Sequence, residues 1–259
     1  MRTSLLVIAL SLLHVSPSLS ADSTTTILEP TGKSHLQRNF IIGNLVGGTA
    51  AYFYFTDVWG KPTGKFHFKD DTHDNLALTD EVSHMFASYQ IAEGSRWLFR
   101  LLGMPQDKIE KYALLEAVLI TTFIEFPLDA FNPGQGVGVS DLLFNSAGVG
   151  LSYLRHHGAA QFDMKFSLKR SPLEFENKFL ASDAAEFDNF IWWGVWKPRH
   201  LWFGFGYSTN HYRADGLVEK EFYLGAGTTL HDLLNIVSPR AAKRLKALDT
   251  FFLNLHVEL

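Results

Sequence analysis

Three pairs of polar side chains stand four residues apart in this chain: Asp80 and His84, Glu125 and Asp129, Asp141 and Asn145. On a helix, residues i and i+4 lie on one face, one turn apart. Each pair can therefore aim two polar groups the same way, although Pro127 interrupts the phase between Glu125 and Asp129. The surroundings are apolar: Met85 and Phe86; Phe123, Ile124 and Phe126; Leu142, Leu143 and Phe144. A carboxylate buried among such residues costs several kcal/mol unless it is paired, hydrogen-bonded or bound to a metal.

Three kinds of chemistry fit this pattern. Asp80, His84, Glu125 and Asp141 could bind a divalent metal, as carboxylate and histidine side chains do in bundle cores. Their spacing differs from the Glu-x-x-His of di-iron bundles. Alternatively, His84 is a general acid or base oriented by Asp80, with Glu125 or Asp141 as its counterpart. No serine elbow, no cysteine and no HExxH segment accompanies it. In the third reading the groups, with Asp129 and Asn145, form a hydrogen-bonded network that fixes helix register or holds a small ligand. Asn145 favours this one, because amides bridge neighbouring helices, and the sequence ranks it first.

Weaker candidates lie elsewhere. His156 and His157 end a predicted helix, where imidazoles suit the dipole. Asp70, Asp71, His73 and Asp74 form an acidic loop cluster. The run from Trp192 to Trp202, with Lys197 and Arg199, reads either as an interfacial aromatic belt or as a sheet core with its rim. Asn210 and His211 fall in a predicted hairpin loop and receive no role.

The elements that must position these residues are helices followed by strands. Ile41–Thr56 is free of charge and contains Gly43 and Gly47, the small-xxx-small spacing that lets helices approach closely. Residues 61–75 read as a loop with short extended pieces. Thr79 is a predicted N-cap, with Asp80 and Glu81 in the first turn. That helix runs to Leu102, where Gly103 and Pro105 end it. The next runs from Gln106 toward Phe126, and 132–138 is loop composition. Ser140 is the predicted cap of a last helix, from Asp141 to about Arg155. From Gln161 the period becomes two: Phe162, Met164, Phe166 and Leu168 alternate with Asp163, Lys165, Ser167 and Lys169, a strand with one wet face. Phe187–Trp196, Leu201–Tyr207, Phe222–Thr229 and Phe251–Leu259 also read as strands, interrupted by a helix over Leu230–Leu248. Five or six strands are too few for a one-chain outer-membrane barrel, which starts at about 8.

Composition narrows the class. The chain has 259 residues, 46% of them hydrophobic, with Phe 22, Tyr 8 and Trp 6. Aromatics at this level suit a large core or a lipid-facing surface. Net charge is −4 and no basic run occurs, which argues against a nucleic-acid partner. There is no cysteine, hence no disulfide framework and no thiolate chemistry. Arg2 precedes the apolar run Leu5–Leu13, Pro17 breaks it, and Ser18 and Ser20 suit cleavage after Ser20. This reads as an export signal, too short to span a bilayer, which needs about 20 residues.

Taken together, the motifs resemble an uncharacterised family of bacterial envelope proteins, mostly predicted periplasmic or outer-membrane lipoproteins, distantly similar to VanZ-like membrane proteins. The resemblance lies in Phe66-His67-Phe68 and Asp71, in Thr79-Asp80-Glu81-Val82-Ser83-His84 with Tyr89, in Ile124-Glu125 with Asp129, and in Ser140-Asp141 through Asn145 to Gly148. It continues in Pro198 to Tyr207 and in Glu221 to Leu224. It implies a periplasmic or outer-membrane setting. Two departures matter: the family commonly has Lys where this chain has Glu81, and many members carry a lipidated Cys that is missing here.

The expected fold is α+β. A signal peptide (1–20) and a linker (21–38) precede a bundle of about four helices (40–158). An aromatic-rich antiparallel β region with one inserted helix (160–259) packs on the bundle or the membrane. The expected function is an exported envelope protein with a lipid surface as partner and a buried Asp/His/Glu/Asn network. The alternative is a hydrolase-like envelope enzyme acting on a lipid or cell-wall precursor, with or without a divalent metal.

Overall fold

The computed structural model describes residues 32–69, 77–158, 161–169, 187–198, 201–211 and 217–259. The predicted signal peptide, most of the linker, and the Asp70, Asp71, His73 and Asp74 cluster lie outside these residues. Residues 39–259 form one compact unit. The fold is α+β: helices come first, then a five-stranded antiparallel sheet.

The first half holds α1 (Gly32–Val58), α2 (Thr79–Leu101), α3 (Gln106–Phe123) and α4 (Val139–His157). Within the compact unit, α1 touches its neighbours through Phe40, whose ring lies 5.5 Å from Phe99 and 6.2 Å from Tyr112. Its glycines do not serve close packing, since nothing lies within 4 Å of a Cβ built at Gly43, Gly47 or Gly48. No helix among the described residues is long and apolar enough to cross a membrane.

The ends of α2 and α4 differ from expectation. Thr79 is the first helical residue rather than the cap; Leu78 holds the cap position in a left-handed conformation (φ 73). Gly138 caps α4 in place of Ser140. The loops ahead of these helices are tied together by two short parallel strands, β1 (Phe68–Lys69) and β2 (Val137–Gly138). β1 is one of the short extended pieces expected over 61–75, β2 falls in a segment of loop composition, and their pairing brings the starts of α2 and α4 side by side. Gly148 sets how closely the two helices then run. A Cβ there would lie 2.1 Å from Met85 O and Ser88 Oγ, so only glycine allows this approach. After Phe123 the chain passes into a wide π-type turn over Ile124–Asp129, in which Phe126 leaves helical geometry (φ −143, ψ 114) ahead of Pro127.

The sheet comprises β3 (Phe162–Leu168), β4 (Phe190–Trp196), β5 (Trp202–Asn210), β6 (Glu219–Thr229) and β7 (Phe252–Glu258), paired in sequence order. The predicted single helix after β6 is broken at Ser238-Pro239 into α5 (Leu230–Val237) and α6 (Pro239–Arg244), with a 3-10 turn over Lys246–Thr250. Proline lacks the N–H and fixes φ, so it starts a helix better than it continues one. A bridge between Phe166 and Phe251 draws the two edges of the sheet toward each other and curls it. Space inside the curl comes from glycines: a Cβ at Gly204, Gly206 or Gly225 would meet the Trp193 ring at 2.8–2.9 Å.

The apolar side of β3 packs on the helices as expected, but its polar side is not wet. Phe162, Met164 and Phe166 point outward onto Phe86 and Tyr89 of α2. The supposed wet face turns inward, where Asp163 and Lys165 are 2% and 1% exposed. Trp192, Trp193 and Trp202 are buried and Trp196 is exposed, so the tryptophan run is sheet core with a rim, not a belt.

Candidate functional site

The glycine contact between α2 and α4 determines what meets next to it. His84 stands one turn before Ser88 on α2, and Asn145 and Asp141 stand about one and two turns before Gly148 on α4. The seam therefore delivers Asp141 and Asn145 against His84. The wide turn after α3 adds Glu125 and Asp129 from the other side. All six predicted site residues belong to one cluster.

His84 is its centre. Its Nε2 lies 3.6 Å from Asp80 Oδ1 and 3.7 Å from Asp141 Oδ1, and its Nδ1 lies 3.4 Å from Glu125 Oε1. These separations exceed the 2.7–3.2 Å of a good N–H···O bond. Asn145 Nδ2 donates to Glu125 Oε1 at 3.0 Å. Lys69, delivered by β1, sits 3.9 Å from Asp80 Oδ2. Sequence reasoning missed it, because only the strand pairing carries it to the site. The cluster is layered in exposure: the His84 and Asp80 side chains are 20% and 19% exposed, and that of Glu125 is 2%.

The electrostatics are crowded. Burial disfavours the charged imidazole, but Asp80, Asp141 and Glu125 outweigh it and hold His84 above its ordinary value. Burial, reinforced by Asp141 and Asp129 and opposed by His84, pushes the Glu125 carboxyl up to about 8. Asp129 is pushed up to about 7, again by burial first. Glu125 Oε2 and Asp129 Oδ1 are buried without a hydrogen-bond partner among the described residues. Asp80, His84 and Asp141 each offer a ligand atom, all within 4.8 Å of one another. This trio could hold one metal ion.

A second polar cluster, which sequence reasoning also missed, occupies the far end of the same seam. Arg96, 1% exposed, grips Glu110 with Nε and Nη2 at 2.7 and 2.6 Å, and donates through Nη1 to Glu93 at 2.9 Å and to Ser152. His156 approaches Glu93 Oε1 at 3.1 Å. Tyr89 donates to Asp163 Oδ1 at 2.6 Å, and Arg155 Nη1 and Lys165 Nζ reach Asp163 Oδ2 at 2.6 and 2.9 Å. Glu93, Arg155, Asp163 and Lys165 line a cleft of about 210 Å³ together with Gln90, Trp97 and Thr250. Burial alone would raise the Glu93 carboxyl, but the His156 contact, Arg155 and Arg96 bring it down to about 2. His211, given no role from sequence, pairs with buried Asp188 at 2.7 Å.

Comparison of the chain with protein-family models, with curated proteins and with solved structures finds no match.

Proposed function

We propose that the chain is an exported, membrane-associated protein of the bacterial cell envelope, periplasmic or outer-membrane, whose helical layer binds a divalent cation through Asp80, His84 and Asp141. Export rests on the charged, apolar and small-residue order of the first 20 residues. Cell fractionation of a tagged full-length chain tests it; recovery in the cytosol overturns it.

The cation reading rests on one observation: three ligand atoms converge within 4.8 Å while neighbouring buried carboxylate oxygens have no hydrogen-bond partner among the described residues. A purely structural network closes its hydrogen bonds, because each orphaned buried group costs about 1–3 kcal/mol. A dication would offset the repulsion among Asp80, Glu125, Asp129 and Asp141. One imidazole nitrogen with carboxylate oxygens suits zinc, manganese or iron(II). Thermal denaturation of EDTA-treated protein with each metal is the test. At about 100-fold Kd a bound ion adds about 2.7 kcal/mol, a rise in Tm on the order of 5–10 °C for a chain of this size. His84→Gln should abolish the rise. An unmoved Tm with every metal sinks the reading.

A second reading, a hydrolase-like enzyme acting on a lipid or cell-wall precursor, draws on the partial exposure of His84 and Asp80, since an acid–base pair must reach its substrate. Metal-loaded protein assayed on ester and phosphodiester substrates tests it. Turnover should vanish in His84→Gln, and no turnover by the wild type confines the site to binding.

A further inference from the structure

The sheet presents an outward face that nothing among the described residues covers. Row by row, Trp196, Phe203, Ala226 and Leu255 stand side by side across β4 to β7. In the next row Phe205, Leu224 and Val257 follow Gly194. No position in either row is charged. Leu255 is 89% exposed and Val257 62%, and both Phe203 and Phe205 are about half exposed. The sheet's charges go the other way: Asp163, Lys165 and Glu221 face the inside of the curl, where each has an ion-pair partner. In a water-facing sheet the apolar side is the covered one. The inside of the curl already holds its own core of Ile191, Trp193, Val195, Trp202, Tyr223 and Phe252, so the outward rows are a second apolar face, the kind that sheets facing lipid present.

With an aromatic side chain offering ~150–250 Å², the exposed part of this face amounts to an apolar patch on the order of 900 Å². The largest patches on water-soluble monomers reach about 300–600 Å². Its boundaries are polar in the way a bilayer surface asks for. Lys220 continues the same face of β6 beyond Phe222 and is exposed. The patch also leads to the cation site: Tyr207, in the row beyond Phe205, donates to Ala77 O beside exposed Leu78, at the start of the helix that carries Asp80 and His84.

A second copy of the chain is the competing occupant. The curl makes this face convex, and two rigid convex faces touch along a strip. That falls short of the ~800 Å² each partner gives to a standard interface. Fluid hydrocarbon conforms to such a surface, and the exposed Lys220 at its edge suits anionic head groups.

We infer that the outward face of β4 to β7 docks on a lipid bilayer containing anionic lipid, setting the entrance of the cation site at head-group level. This rests on the membrane-associated reading above and names the surface that carries it.

Flotation of the full-length protein with vesicles of phosphatidylethanolamine and phosphatidylglycerol is the test. Wild type should float, and Leu255→Glu/Val257→Glu should lose about tenfold or more in partitioning. The variant's metal-induced Tm shift serves as its folding control. In vesicles with brominated acyl chains, wild-type tryptophan fluorescence should be quenched, and much less so in Trp196→Phe. Equal flotation of wild type and double variant means another segment anchors the chain; membrane association stands and this face is refuted. Failure of both to float overturns this inference together with the membrane-associated reading. Concentration-dependent dimers of wild type, absent in the double variant, would then assign the face to a second copy.

Discussion

The seam between α2 and α4 carries one polar cluster at each end, and the two are built on opposite terms. Around Arg96, Arg155 and Lys165, cations and acids alternate; Asp163 accepts short bonds on both oxygens, and Glu93 does so on Oε1. Around His84, four carboxylates share one imidazole and a single distant lysine. The first arrangement lowers an acid's pKa and the second raises it. Since both lie on the same helices in similar burial, burial alone does not set the difference; the ratio of cations to acids does. The Arg96 end is complete as it stands, whereas the His84 end has a charge deficit that a dication would fill.

Predictions can break or sharpen this contrast. The largest effect is expected at the balanced end. Asp163→Ala removes the buried carboxylate that Arg155, Lys165 and Tyr89 share, and losing one partner of a buried pair costs about 3–5 kcal/mol. Urea unfolding should show it, and a loss under 1 kcal/mol would mean the cluster is not structural. Next, Gly148→Ala forces a methyl group into Met85 O and Ser88 Oγ. Overpacking of this kind costs about 1–3 kcal/mol. The metal-induced Tm shift should fall with it, because the seam aligns both ends.

The pH dependence should have opposite signs at the two ends. Glu93, held at about 2, contributes stability that is fully present above its ordinary 4.5 and is lost as pH falls toward 2. Glu125 and Asp129, at about 8 and about 7 in cation-free protein, contribute stability that is fully present below their ordinary 4.5 and 3.8. That part is lost as pH rises through 7 and 8. Stability in EDTA should therefore fall on both sides of a mildly acidic maximum. Glu125→Gln/Asp129→Asn should flatten the alkaline limb only.

Asp141→Asn removes one of the repelling charges. Stability in EDTA should hold or rise by up to about 1 kcal/mol, while cation binding is lost; groups kept against stability are those with another task. A marked loss of stability would instead make the His84 end a structural network like the other. The smallest effect belongs to His156→Gln, where the imidazole is exposed and its pair with Glu93 is worth at most about 1 kcal/mol.

Much of this was legible in the sequence where spacing acts locally. Four helices, the strands and the convergence of Asp80, His84, Glu125, Asp129, Asp141 and Asn145 follow from i, i+4 phase and from polar residues set among apolar ones. Long-range geometry was not legible. Lys69 reaches the site through a two-residue strand that propensity does not signal. The Arg96 cluster hides in heptad-like positions because arginine on a helix ordinarily marks a wet face. The alternation along β3 gave the correct period and the correct covered face, but not the burial of Asp163 and Lys165 opposite, since a period of two says which residues share a face and not whether the polar face is covered as well. Caps failed at Thr79 and Ser140 by one or two residues, where the chain pairing of β1 with β2, not side-chain capping, fixes the helix starts.

Trp193 occupies space that three glycines on two neighbouring strands leave open. The bend of the sheet and the object that fills it are therefore a single inherited unit. No member of the quartet can vary alone: a side chain at Gly204, Gly206 or Gly225 demands a smaller residue at 193, and a smaller residue at 193 leaves a hollow that three backbones cannot close. Among related chains these four positions should change in concert or stay fixed.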